Sequence, residues 1–420
     1  MNEHATPEAN QSPPSATEEE EENPIAQSPT QAQEPAQKAV EDYPPGLTKI
    51  LQSALEQGAS HVHLEPHNED YRLRFRVGGI LNEINHYSEK EAGLIIQRLF
   101  VQASLESDMR RPQDGIFNFS WKDAKYAIRV SSYPCGRGPK TVLKISKAAS
   151  LLTFENLGMS AEQVLAVRQL MRRRGGLIIV TGPWSSGKTA TMYAIGHEFN
   201  KAELNVATIE DPIELDIPGL NQGQVDPQHS FGFPEALRSI LHQDPDIVLV
   251  GEISDYATGK RVMDACLQAG HRVITSIHTD NVLGTLHWLN KLGLRSDSVA
   301  HALSGIVVQR LVRRVCSHCA ETVAPGKRIR EQVGFDISTT GKYRQGKGCD
   351  ACSHTGYLGK TGVFEIVPIK QEMRDLIAEN APDVNLKRAL RKLGIESIRR
   401  SGIKKAEEGI TTVNEIVRVT

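Results

Sequence analysis

The stretch "GGLIIVTGPWSSGKTATMYAIGHEF" constrains the fold of this chain more than any other. A short apolar run is followed at once by a loop with two glycines separated by four residues, then by a lysine, a hydroxyl and a helix-forming sequence. That order reads as buried strand, tight loop and helix, with the strand over Leu177 to Val180 and the helix over Thr189 to Glu198. A continuous apolar strand, unlike an alternating one, is covered on both faces, which requires a mostly parallel sheet with helices on each side. The runs "LNVATIED", "DIVLVGE" and "HRVITSIHT" repeat the pattern, separated by the helical segments "EALRSILHQ" and "ATGKRVMDACLQA". The predicted class is α/β.

The loop itself, Gly182, Pro183, Trp184, Ser185, Ser186, Gly187, Lys188 and Thr189, has the pattern of a phosphate-binding loop (P-loop). In such a loop the backbone N–H groups and the helix N-terminus point at the β- and γ-phosphates of a nucleotide. Lys188 adds positive charge, and Thr189 offers its hydroxyl to Mg²⁺. The plain alternative is a flexible Gly/Ser turn. "DIVLVGE" decides against it, because this run is expected beside the loop in the sheet and ends in Gly251 and Glu252, an acid positioned to act on Mg²⁺ or on an attacking water. Trp184 and Ser185 are unusual where small residues ease wrapping of the backbone. Trp184 is expected to pack against a neighbouring element, the alternative being a stack on something at the site.

With 420 residues the chain exceeds one ordinary core, so several units are expected. Residues 1–43 are rich in Pro, Gln, Ala, Ser and Glu, include the run Glu18 to Glu22, and bury too little to offset ordering, which predicts a disordered acidic tail. Residues 44–148 combine two helical stretches with alternating strands such as "YRLRFRVGGIL" and "YAIRVSSYP", a small α+β domain. Residues 149–313 form the P-loop core, 314–362 a cysteine module and 363–420 a helical C-terminal region. A net charge of −2 gives no general attraction to nucleic acid, and no specific nucleic-acid partner is expected. Neither a membrane-length apolar run nor a secretory signal is visible, so a cytoplasmic location is expected.

Of six cysteines, Cys316, Cys319, Cys349 and Cys352 form two C-x-x-C knuckles, the spacing that closes a tetrahedral, structural Zn²⁺ site. Cys135 and Cys266 are unpaired and are expected to be buried.

From "GASHVHLEP" through "GPWSSGKT", "TIEDPIE", "LRSILHQDPDIVLVGEISD", "AGHRVITSIHTDN" and "GCDACSHTGYLGKTGVFEI" to "GITTVNEIVRVT", residues 46–420 resemble the type II secretion and type IV pilus assembly ATPases of the secretion ATPase superfamily. The resemblance implies a RecA-like core and ATP bound between core and small domain, with Mg²⁺ and Zn²⁺ as metals. It also implies a ring, a hexamer by analogy, working on an inner-membrane platform protein to polymerise pilins or pseudopilins, peripherally held at that membrane. By the same resemblance Glu210 and Asp211, with Glu214 nearby, organise magnesium and water, Glu252 is the acid of the second nucleotide motif and His278 senses the γ-phosphate. Arg129 matches an arginine that the small domain supplies to the nucleotide, and Arg238 matches another charged, catalytic position in the core.

The sequence also departs from that pattern. Ile116 and His242 stand where arginines are common, His61 and Gly78 where aspartates are, and Ser254 and Ala257 replace a charged pair. These departures raise a rival reading, a nucleotide-binding but weakly or non-hydrolysing scaffold in a mixed ring. A DNA translocase would need a basic channel that the composition does not advertise. A docking domain at the N-terminus is expected to be absent or replaced by the acidic tail.

Overall fold

The structure, a computed structural model, describes residues 45–122, 124–147, 152–173, 175–226 and 229–420. The acidic tail expected over 1–43 lies outside the described residues.

The small domain runs α1 (Pro45–Glu56), β1 (Ala59–His67), β2 (Asp70–Val77), β3 (Ile80–Ser88), α2 (Glu89–Gln102), β4 (Gln113–Trp121), β5 (Ala124–Cys135) and β6 (Gly138–Lys147). The strands form an antiparallel sheet in the order β3-β2-β1-β6-β5-β4. "YRLRFRVGGIL" folds as a hairpin, turning at Gly78 and Gly79, both with positive φ. Side chains alternate across a strand. Tyr71, Leu73, Phe75 and Val77 of β2 therefore pack with Leu47 and Leu51 of α1 and Ile96 and Leu99 of α2. Arg72, Arg74 and Arg76 occupy the opposite face, a segregation that matters for the site below.

The core continues with α3 (Phe154–Leu157), α4 (Ala161–Met171), β7 (Gly176–Thr181), α5 (Lys188–Phe199), β8 (Val206–Glu210), β9 (Asn221–Gln224), α6 (Phe233–Leu241), β10 (Ile247–Val250), α7 (Tyr256–Leu267), β11 (Arg272–Ile277), α8 (Val282–Lys291), α9 (Ser296–Ala302) and β12 (Leu303–Val315). After β12 come β13 (Ala320–Thr322), α10 (Lys327–Val333), β14 (Arg344–Gly346), β15 (Tyr357–Pro368), α11 (Gln371–Ala378), α12 (Asp383–Lys392), α13 (Ile398–Glu407) and α14 (Val413–Val419). The large sheet has the order β15-β12-β7-β11-β10-β8-β9, parallel except for β15 at one edge. Both faces are covered: Leu177 and Ile179 of β7 join one apolar cluster while Ile178 and Val180 join another. Each such buried side chain contributes roughly 1.5–3 kcal/mol.

The structure departs from the sequence reading in several places. β10 does not flank the loop strand; β11 lies between them, because the chain after β10 crosses back over the sheet through α7. β12 was not anticipated as a strand. Its 13 residues, "LSGIVVQRLVRRV", are long and basic at the end, unlike a short buried run. The cysteine segment is inserted between β12 and β15, and β15 continues past residue 362 into the stretch read as purely helical. Cys266 is buried in α7, but Cys135 is exposed, because it closes the β5–β6 hairpin opposite Gly138.

Candidate functional site

Strand β7 delivers the chain to the loop at the carboxyl end of the parallel sheet, where such sheets bind ligands. Packing against β12 dictates the glycines. A Cβ on Gly187, which has φ +89°, would lie 2.8 Å from Gln309 Nε2, and one on Gly182 would collide with the Gln309 carbonyl oxygen. Ser185 adopts φ +61°, a left-handed conformation normally left to glycine. Helix α5 starts at Lys188 with no side-chain cap, which leaves its first N–H groups for a ligand. Ser186 Oγ is buried and makes no hydrogen bond. An uncapped helix start beside an orphaned hydroxyl fits an anion.

Lys188 Nζ donates to the carbonyls of Gly182 and Pro183, both at 3.1 Å, and to His278 Nδ1 at 2.9 Å. That contact assigns the proton of a neutral His278 to Nε2, which faces Glu252 Oε2 at 3.4 Å. Lysine, histidine and glutamate thus form one relay. Burial pulls Lys188 down to about 8, with Glu252 opposing. Burial and then the Lys188 ammonium hold His278 below its ordinary value. Trp184 corrects the expectation of packing: it is 78% exposed and stacks on the His278 ring at 3.8 Å between centroids and 17° between planes.

Glu210, at the end of β8, is buried and accepts hydrogen bonds from Tyr193 Oη, from Thr208 Oγ1 at 2.5 Å and from Gln222 Nε2 at 3.0 Å. Burial raises its pKa, and these bonds only partly offset the effect.

The polar face of the small domain forms the opposite wall. Strand register aligns Arg76, His61, Lys144, Arg129 and Ile116 in one row across five strands. His61, Lys144 and Arg129 from the middle of that row line the same cavity as Trp184, Ser185, Ser186, Gly187, Lys188, Thr189, Glu210, Asp211, Glu252 and His278. The cavity measures about 770 Å³, within the range of small-molecule sites. Arg129 Nη2 contacts Asp114 at 3.1 Å, and Lys144 Nζ reaches both oxygens of Glu214 at 2.9 Å, tying β6 to the core. Burial, then Arg76 and Lys144, push His61 down to about 4, so it is neutral at physiological pH.

Two groups of expected residues do not line the cavity. Gly182 and Pro183 lie behind its wall, meeting Lys188 through their carbonyls. Arg238 is exposed on α6, away from the cavity, because Ala236 and Leu237 turn the helix's buried face to the sheet and leave position 238 outward. His271 is held structurally by the Pro245 carbonyl. Sequence reasoning missed Gln309, Lys144 and Lys360 as parts of the site. Lys144 lies on a stretch that reads as a strand, whereas Gln309 of β12 and Lys360 of β15 lie on strands the sequence pattern does not mark, and only strand pairing brings them here.

The four cysteines Cys316, Cys319, Cys349 and Cys352 converge, with Sγ–Sγ separations of 3.8–3.9 Å for the pairs Cys316–Cys349, Cys319–Cys352 and Cys349–Cys352. Four sulfurs about 2.3 Å from a tetrahedral Zn²⁺ stand about 3.8 Å apart. Amides of Gly348 and Gly356 donate to Cys319 and Cys352 sulfurs, as thiolates require. The donor set fits structural zinc.

A phosphate loop at the carboxyl end of a parallel sheet, with strand-end acids and a facing domain, defines a P-loop nucleotide-binding protein of RecA-like architecture. The family model "Type II/IV secretion system protein" matches residues 37–418, and the chain belongs to this family of secretion ATPases. It is 36% identical over 376 residues to the type II secretion system ATPase E of Vibrio cholerae, covering 89% of this chain and 74% of the relative. It is 35% identical to the type IV pilus assembly ATPase PilB of Acinetobacter baylyi, covering 89% of this chain and 66% of the relative. The fold resembles the Legionella pneumophila ATPase DotB, with TM-score 0.63, 19% identity and coverage of 89% and 96%. It also resembles the pilus retraction motor PilT with bound ADP, with TM-score 0.62, 22% identity and the same coverage. Among the described residues no helix is long and apolar enough to cross a membrane.

Proposed function

We propose that this chain is the ATP-hydrolysing motor of a type II secretion or type IV pilus assembly system. It works as a ring, hexameric by analogy with the resemblance, on the cytoplasmic side of the inner membrane. There it is held by a platform protein through which it drives pilin or pseudopilin polymerisation. The observation that carries this reading is the shared cavity, with the loop and the Lys188–His278–Glu252 relay on one wall and the His61–Lys144–Arg129 row on the other.

Phosphoryl transfer depends mainly on positioning and charge neutralisation. The loop N–H groups and Lys188 grip the terminal phosphates, and Lys188 exchanges its carbonyl contacts for phosphate oxygens. Glu252 orients the attacking water, and His278, linked to both, registers whether the γ-phosphate is present. Thr189, with Glu210 and Asp211, would hold Mg²⁺, which supplies charge neutralisation at the phosphates. Arg129 reaches the phosphates once freed from Asp114, and a fixed guanidinium there is worth about 10³ in rate. Contacts to both walls favour closure of the small domain, which turns binding into motion.

The test is ATP hydrolysis by the full chain with Mg²⁺, alone and with the platform protein in vesicles. Turnover must fall to background in Lys188→Ala and nearly so in Glu252→Gln. Wild-type turnover no higher than that of Lys188→Ala under both conditions would refute the motor reading.

A further inference from the structure

A second cluster of metal-ligating side chains lies on the small domain, apart from the cavity and the cysteines. His67 ends β1, Asp70 begins β2 after a two-residue turn, and His86 sits near the end of β3. The register brings them to one face: His67 pairs directly with Asp70, and His86 pairs with Arg72, the next residue along β2 on Asp70's side. This is the polar face that carries His61, but at the other end of β1, about 20 Å away for six residues of strand.

The three side chains converge closely enough for a small shift to seat one ion, which would displace the proton now hydrogen-bonded between Asp70 and His86. Asp70 Oδ2 is 2.5 Å from His86 Nδ1, Asp70 Oδ1 is 3.6 Å from His67 Nδ1, and the ligand atoms all lie within 4.8 Å of one another. Asp70 Oδ1 is buried yet accepts no hydrogen bond. Behind His86, Glu83 Oε1 contacts Nε2 at 3.0 Å. In a regular strand residues 83 and 86 would face opposite sides. The register shift that pairs Leu73 with Asn85 but Arg74 with Glu83 leaves Ile84 as an extra residue and turns Glu83 onto the same face. A carboxylate on the outer nitrogen of a histidine whose other nitrogen faces a carboxylate ligand is the arrangement that orients metal-binding imidazoles. Arg72 lies beside Glu83 at 3.4 Å and balances part of the local negative charge.

We propose that His67, Asp70 and His86 form a binding site for a divalent transition-metal ion of the zinc class, with Glu83 orienting His86. Two imidazole nitrogens and one carboxylate oxygen suit Zn²⁺, Co²⁺ or Ni²⁺ rather than Ca²⁺ or Mg²⁺, which take oxygen-rich shells, and water completes the coordination. The ion pins the edge strand β3, most of whose residues are not buried, to the β1–β2 hairpin. The competing occupant is a proton on His86 Nδ1.

The test is calorimetric titration of ZnCl₂ into the full chain purified with zinc in its cysteine site, with total zinc counted by mass spectrometry. One further zinc per chain is expected. His86→Ala should weaken this binding more than tenfold, Asp70→Asn likewise, and Glu83→Gln by about 10- to 100-fold. Circular dichroism and unchanged zinc in the cysteine site verify that each variant is folded. No further zinc in the wild type, or equal binding in folded His86→Ala, would overturn the proposal in favour of the proton or scattered surface histidines.

Discussion

Lys188 offers a quantitative handle on the proposed nucleotide site. Its ammonium is the form that phosphate binds, yet burial has pulled its pKa to about 8. A phosphate anion drives that pKa upward, so binding near or above pH 8 takes up a proton. If only the charged form binds, the apparent dissociation constant scales with one plus the ratio of neutral to charged lysine. That factor is about 1.1 at pH 7 and about 11 at pH 9, a loss of about tenfold in affinity, or roughly 1.4 kcal/mol. Two other titrations at the site leave this window clear. His278 is held below its ordinary value and stays neutral, and the last phosphate ionisation, near pKa 6, is complete. The assay is calorimetric titration with Mg-ADP at pH 7, 8 and 9 in two buffers of different ionisation enthalpy. Lys188→Arg keeps its charge throughout, so its affinity, whatever its absolute value, should be flat with pH. Wild-type affinity constant within twofold across the window, with no proton uptake, would refute the argument that a buried, titrating lysine carries the phosphate.

Three further outcomes are expected. Glu415 of α14 is buried and accepts from Arg313 Nη2 at 2.7 Å, the Arg313 amide at 3.1 Å and Arg418 Nη2 at 2.6 Å. Burial raises its pKa, but the bonds from Arg418 and Arg313 prevail and hold it at about 2, so its stabilisation is present above the ordinary glutamate value and is lost as pH falls through about 2. Glu415→Gln should therefore cost about 3–5 kcal/mol in urea unfolding at pH 7, and a loss under about 1 kcal/mol would contradict this. Trp184→Ala removes a stack worth about 0.5–1.5 kcal/mol and should lower kcat by up to about tenfold, with Trp184→Phe restoring most of it; unchanged turnover in Trp184→Ala rules out a supporting role for the ring. Cys349→Ser should remove one zinc per chain and open the segment between β12 and β15 to proteolysis, whereas unchanged metal content would show that the cysteines hold no ion.

Much of this architecture was legible in the residues. "LIIV" before "GPWSSGKT" specified a buried strand, a loop and a helix, because continuous apolarity and glycine spacing are local properties of the chain. The alternation in "YRLRFRV" separated a core face from a basic face, and the doubled C-x-x-C gave the tetracysteine cluster, since each is written in spacing alone. Tertiary structure decided what spacing cannot express. It placed β11 between β7 and β10, and it aligned His61, Lys144 and Arg129 across strands far apart in sequence. It also packed Gln309 of β12 against Gly182 and Gly187, turned Arg238 outward, and laid Trp184 over His278. Local pattern fixes which face of an element is apolar, whereas strand order and register depend on long-range pairing and closure, which a single sequence does not encode in any short window.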